Sequence, residues 1–460
     1  MRLESPSLDL RDDPRRWWAL AVLCLALCAI VIDNTILNVA LPTLRRGLHA
    51  SETDLQWVTT AYALTLSGLL LPLGVLGDRF GRRGLLLTGL LLFGSASAVA
   101  AFTSSPLQLA LARGAMGVGG AASMPATLSI LGNIFHEHER ARAIAIWASV
   151  AGVAAALGPI VGGVLLSRFW WGSVFLVNVP VVLLTVVAVV VLLPSSRAPI
   201  ARAIDGLGSL LWAGSLALLL FAIIEGPVRG WRSPSVVAAF LLSGALMALF
   251  AREERRARAP MLAPSVARDP RMQAGTITVI GMFFAAFGTQ FTLTQWIQGP
   301  RGHSALFTGL CFMPMALTTV VTTMCNPPVA RRLGPRVVVA GGLATMSLAL
   351  VLVGWAVSSG RLALVAVALV ALGAGQGIAI PSAVELIMIS VPPEQAGSAA
   401  GVNETVVEAG GAVGIAVLGS LLAAGAGFSA PVLVAAAAVL LTSAVVFRIL
   451  ARQSVAERNS

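Results

Sequence analysis

The chain is 460 residues long, 57% hydrophobic and 11% charged, where a soluble protein carries about 25% charge, so a water-soluble globule is excluded and a polytopic, all-helical membrane protein is expected. A formal charge of +11 invites nucleic acid, but all 31 basic residues are arginines scattered through short polar segments, without the aromatic-interleaved stripe of a nucleic-acid face. With no lysine there is no GxxxxGK[ST] phosphate loop and no Schiff base, so direct ATP drive is not expected; the chain is expected to be no enzyme and to hold no cofactor.

Apolar runs broken by arginine, proline or glycine clusters set out the chain. Fourteen follow in order, at 17–41, 55–77, 84–103, 106–134, 142–166, 173–193, 206–225, 235–251, 273–297, 305–326, 336–357, 362–391, 399–424 and 429–450. The first has no small-residue cleavage site and reads as a span, not a signal peptide. An even number of spans returns the chain to the side it left. With that side placed inside, 23 arginines fall in inner segments and 7 in outer loops, leaving Arg113 within a span. Arginine gathers on the cytoplasmic side, so both termini are expected there, in a cell membrane. The lysine-free, alanine-rich bias fits a GC-rich bacterial genome.

A charge at mid-membrane costs on the order of 2.5–3.5 kcal/mol, so polar residues inside the runs point to function. The first span carries Asp33 within "IDNTILNVALP" (32–42), eight residues before Leu41 and so about 12 Å from the outer end. The fourth span enters near Leu107 and puts Arg113 about 9 Å deep. The two opposite charges are therefore expected at similar depth in one bundle. Asp33 can be neutralised by a proton and Arg113 cannot. Trading that proton for a cationic substrate, beside a fixed positive charge, is the coupling an antiporter needs; a structural ion pair that never titrates is the alternative.

In the fifth span Gly152, Gly158, Pro159, Gly162 and Gly163 permit a kink and close helix packing. His136 and His138, just before it, read as a solvated loop rather than a metal site. Glu225, ending the seventh span, reads as a solvated boundary residue. The ninth span holds Phe284, Phe287 and Phe291 on one face, and the second holds Tyr62, the only tyrosine. Ring faces attract desolvated cations, although core or lipid packing accounts for the same aromatics. Glu385 lies in the twelfth span, and Glu404 and Glu408 lie one turn apart on one face of the thirteenth. Apart from Arg336 and Arg448 at span ends, no arginine lies within the C-terminal spans to pair with these carboxylates, which makes them candidate proton and cation sites.

An internal repeat organises the spans. Gly117, Gly119 and Pro125 recur at Gly373, Gly375 and Pro381, and Gly158 at Gly414, all offset by 256. "LGDRFGRRG" (76–84) echoes "VARRLGPRV" (329–337) at an offset of 253. Two six-helix bundles in parallel repeat are expected, 1–193 and 272–460, with a helix pair and inner loop inserted at 194–271.

On these motifs the chain resembles the major facilitator superfamily, and within it the 14-helix drug:proton antiporters. The matching stretches are "IDNTILNVALP", "GVLGDRFGRRG" (74–84), "LALARGAMGVGGA" (109–121), "GVAAALGPIVGG" (152–163) and "NETVVEAGGAVGIAVLGS" (403–420). The last is similar to the branch exporting cationic dyes and quaternary ammonium biocides. One departure is Met116, where the family commonly has glutamine. The resemblance implies alternating access by a monomer in membrane lipid, with small amphiphilic cations as substrates and the proton as coupling ion. It implies a gate at the loop motif, where Gly74 allows close helix approach, Asp78 sits against a helix N-terminus, and Arg79, Arg82 and Arg83 hold the inner face shut in one state. It also places the kinked fifth helix at the seam between bundles. Two further readings are an exporter of a neutral or anionic secondary metabolite or antibiotic, and a transporter-like sensor without flux.

Overall fold

The computed structural model describes residues 13–193, 206–256, 264–391 and 396–459. Parts of the expected inserted segment, 194–205 and 257–263, lie outside the described residues. The helices are α1 (Arg16–Leu48), α2 (Glu52–Phe80), α3 (Arg82–Ala101), α4 (Pro106–Ile134), α5 (Glu137–Arg168), α6 (Ser173–Leu176), α7 (Asn178–Leu192), α8 (Gly206–Arg229), α9 (Pro234–Glu254), α10 (Pro264–Ala267), α11 (Pro270–Gln298), α12 (Ala305–Ser358), α13 (Leu362–Ile389), α14 (Ala396–Ala423) and α15 (Ser429–Asn459). Their starts carry local signals. Ser51 and Asp54 form a reciprocal capping box on α2, and the Ser105 hydroxyl accepts from the Gln108 amide on α4, whose first residue is Pro106.

Among the described residues, eleven helices are long and apolar enough to cross a membrane. One of them, α12, is broken at Gly334, where φ is 77°, a conformation that resists a side chain. It therefore supplies both the tenth and the eleventh expected spans. With α2 and α5, of 29 and 32 residues, the set is compatible with fourteen spans. α6 and α7 together make the sixth.

The halves repeat in three dimensions as they do in sequence. A methyl group on Gly119 of α4 would stand 2.7 Å from the Gly89 carbonyl and the Phe93 nitrogen of α3. One on Gly375 of α13 would stand 2.7 Å from the Gly342 carbonyl and the Met346 nitrogen, in the second part of α12. Gly158 likewise backs α5 onto α1 at Thr35, and Gly414 backs α14 onto α11 at the Phe284 carbonyl. Small residues at these crossings let backbones approach, which drives helix association in lipid. One apolar core fills the first half from Ala19 to Leu193, taking in Phe291 and Ile415 across the seam. A second fills the other half from Ala274 to Leu450.

The two ends of the bundle differ. At the end away from the chain termini, the far end, the Gln298 amide donates to the Val39 carbonyl at 2.8 Å, and Gly163 lies against the Leu306 backbone. Gly309 meets the Pro159 carbonyl there, and Gln56 lies over Gly419. The inserted helix α8 packs on both α2 and α14, through Ala63, Leu220, Ile224, Ala412 and Ala416. The Ser420 hydroxyl donates to the Ile223 carbonyl at 2.7 Å. Glu225 departs from its expected role as a solvated boundary residue. It accepts from the Trp57 indole at 3.1 Å and from Arg229 at 2.7 Å, pinning α8 to α2.

Candidate functional site: a buried ion pair and two carboxylates across the seam

Asp33 and Arg113 meet as their depths required. The Arg113 Nη1 donates to Asp33 Oδ2 at 2.5 Å, with Asp33 2% exposed and Arg113 fully buried. The other carboxylate oxygen accepts from the Asn178 amide at 2.7 Å. That amide also reaches the Ser97 hydroxyl at 3.1 Å, which in turn donates to the Phe175 carbonyl at 2.8 Å. One carboxylate thus ties α1 to α3, α4 and α7. The Arg113 guanidinium lies 4.3 Å over the Tyr62 ring, so that ring face is given to the protein's own cation. The Met116 sulfur is 4.0 Å from Arg113 Nη1, a soft contact where a glutamine would hydrogen-bond. Arg113 Nε and Nη2 and the Tyr62 hydroxyl have no hydrogen-bond partner among the described residues.

Across the seam, α14 presents Glu408, 7% exposed, with Oε2 unpartnered among the described residues. It interacts electrostatically with Glu404, Arg113 and Tyr62. Glu404, one turn away and part-buried, accepts only a long 3.5 Å hydrogen bond from Asn403 among the described residues. Arg113 and Glu408 thus interact electrostatically from opposite halves. Glu385 stands apart, exposed on α13, without a hydrogen bond or ion pair among the described residues.

The sequence profile described as the Major Facilitator Superfamily matches residues 23–415 and 278–460. The chain belongs to that superfamily. The multidrug efflux pump LfrA of Mycolicibacterium smegmatis is 36% identical over 427 residues, 92% of this chain and 84% of LfrA. The puromycin resistance protein pur8 of Streptomyces alboniger is 34% identical over 415 residues, 89% and 82% of the two chains. A crystal structure of a POT family transporter in complex with a thioalcohol-conjugated peptide gives a TM-score of 0.71, covering 94% of this chain and 96% of that one at 13% identity, a likeness of fold alone. The chain is a multi-pass membrane transporter of this superfamily.

The other expected residues find their places in this superfamily fold. Gly74 backs α2 onto Pro125 of α4. Arg82 donates to the Ser129 carbonyl at 3.2 Å and Arg83 to the Val190 carbonyl at 2.6 Å, both within the first half, while Arg79 is exposed. The Asp78 side chain lies outside the described residues. On α5, Gly158 and Gly162 face α1, whereas Pro159 and Gly163 face α12, so one helix makes both junctions; Gly152 has open space around it. The phenylalanines divide. Phe291 is fully buried in the first core, Phe287 spans the seam and rests on Gly411, and Phe284 packs on the second core. Asn178 and Ser97 were not anticipated. Their signal was present, a lone asparagine in the apolar stretch "VFLVNVPVV" (174–182).

Proposed function

We propose that the chain exports lipophilic, positively charged drugs or biocides in exchange for protons. The observation that carries this reading is Glu408, buried in one half with Oε2 unpartnered among the described residues, across from an Arg113 already neutralised by Asp33 in the other. An organic cation and a proton compete for such a carboxylate, and either one relieves the cost of burying its charge. Protons arriving from outside discharge the cation, and the emptied site reloads from inside. One proton for one monovalent cation is electroneutral and draws on the pH gradient alone. With the arginine-rich terminal end in the cytoplasm, the far-end contacts close the outer face, and rocking of the halves about the α5 junctions alternates access. The kinship to LfrA supports a drug substrate. No cofactor takes part, and a single chain in lipid suffices.

Ethidium accumulation in expressing cells tests the reading. Wild type is expected to lower accumulation and Glu408→Gln to restore it at equal membrane abundance; equal accumulation with and without the wild-type protein refutes export of this cation. Export of a neutral or anionic antibiotic is the second reading, favoured by the kinship to the protein named for puromycin resistance. A panel of charged and neutral compounds on everted vesicles, followed by luminal proton release, separates the two.

A further inference from the structure

The inserted helices α8 and α9 stand outside the repeat, and their contacts are of three kinds. They are fastened first to each other. The Ser215 hydroxyl donates to the Ser243 carbonyl and the Ser243 hydroxyl to the Ser215 carbonyl, both at 2.9 Å, beside the apolar cluster of Ala222, Val236 and Ala239. α8 is then fastened to the first half at two levels. A methyl group on Gly68 of α2 would stand 2.7 Å from the Ala213 Cβ. About 18 Å further along α8, Glu225 accepts from the Trp57 indole at 3.1 Å.

Toward the second half α8 is smoother. Leu216, Leu220 and Ile224 pack with Ala409, Ala412 and Ala416 of α14, small side chains that interlock little. A hydrogen bond also crosses, and α8 is built to receive it. Pro227 lies inside α8. Proline has no N–H, so the carbonyl four residues earlier, that of Ile223, loses its helical partner. That carbonyl accepts from the Ser420 hydroxyl of α14 at 2.7 Å. A carbonyl packed between helices needs a donor, and here the second half supplies it.

We propose that α8 and α9 form a strap that travels with the first half and latches onto the second through Ser420, favouring the state in which the far end is closed. The proposal rests on the rocking of the halves set out above, and not on what is carried. When the far end opens, α8 stays on α2, the Ser420 hydroxyl leaves, and the Ile223 carbonyl loses its donor. The opposite division, with α8 staying on α14, breaks the Trp57–Glu225 hydrogen bond and parts Gly68 from Ala213.

Spin-label distances in the full chain, held in lipid nanodiscs, test the strap. The four native cysteines are replaced by alanine, and labels are attached in pairs at the accessible positions Thr53, Val228 and Ala424. Distances are compared at acidic and alkaline pH, with and without ethidium. The Thr53–Ala424 pair reads the opening itself and is expected to show a short and a long distance. Val228–Ala424 is expected to lengthen with it, while Thr53–Val228 keeps a single distance. If Thr53–Val228 lengthens instead and Val228–Ala424 holds, the strap is overturned while the rocking stands. A single Thr53–Ala424 distance under every condition removes the rocking, and the strap with it. The latch is read by substitution. Ser420→Ala should raise the ratio of long to short Thr53–Ala424 distances about fivefold, the loss of one hydrogen bond. In a Pro227→Ala background the restored N–H serves the Ile223 carbonyl, so the same substitution should change that ratio much less. An equal change in both backgrounds, or no change in either, overturns the latch.

Discussion

In the first half Asp33 is held by Arg113 and Asn178 at 2.5 and 2.7 Å, whereas in the second Glu408 is comparably buried and keeps an oxygen unpartnered among the described residues. The halves share one plan, so the difference lies in what each repeat placed at matching positions. At the offset of 256, Leu369 stands where Arg113 does, and Glu408 stands where Gly152 does. The first copy encloses a neutralised pair that fastens four helices. The second holds Glu408 with Oε2 unpartnered among the described residues. Under the proposed function, the duplicated scaffold leaves cohesion to one half and exchange to the other.

The comparison breaks most visibly at Arg113. Replacing it with alanine strands Asp33 in the core and is expected to cost about 3–5 kcal/mol of stability. Glu408→Ala should leave the thermal unfolding midpoint close to wild type, and equal losses would erase the distinction. Next comes Asn178→Ala, which removes a hydrogen bond to a charged group and should cost about 1.5–3 kcal/mol in the same assay. The shared plan is sharpened by Gly119→Ala and Gly375→Ala. Each puts a methyl group into facing backbone, so both should destabilise by about 1–3 kcal/mol, and by similar amounts; one tolerated and the other not would mean the crossings differ. The smallest effect is expected at the part-exposed Glu225–Arg229 pair, where Arg229→Gln should change the stability by less than about 1 kcal/mol.

Much of this was legible in the sequence, for physical reasons. A helix rises by a fixed amount per residue, so counting from span ends put Asp33 and Arg113 at one depth, and they do pair. Glycine spacing gave the repeat because close crossings admit little else. What a span count cannot supply is rotation about the helix axis. It left open that Tyr62 turns its ring to Arg113, that Phe284 and Phe291 enter different cores, and that Arg82 and Arg83 reach carbonyls of their own half. Asn178 carries no charge, so span depth and charge do not single it out, although a carboxylate in oil requires a second donor. Glu225 at a span end looked solvated because nothing local announces the indole of Trp57, more than 160 positions away.

Proton release on ligand binding bears most directly on the assignment of exchange to Glu408. Ethidium is added to weakly buffered, detergent-purified protein, and a pH indicator follows the solution. Wild type is predicted to release protons as the dye binds, and Glu408→Gln to release fewer at matched occupancy. Identical release from the two proteins would contradict the account, leaving Glu408 a bystander.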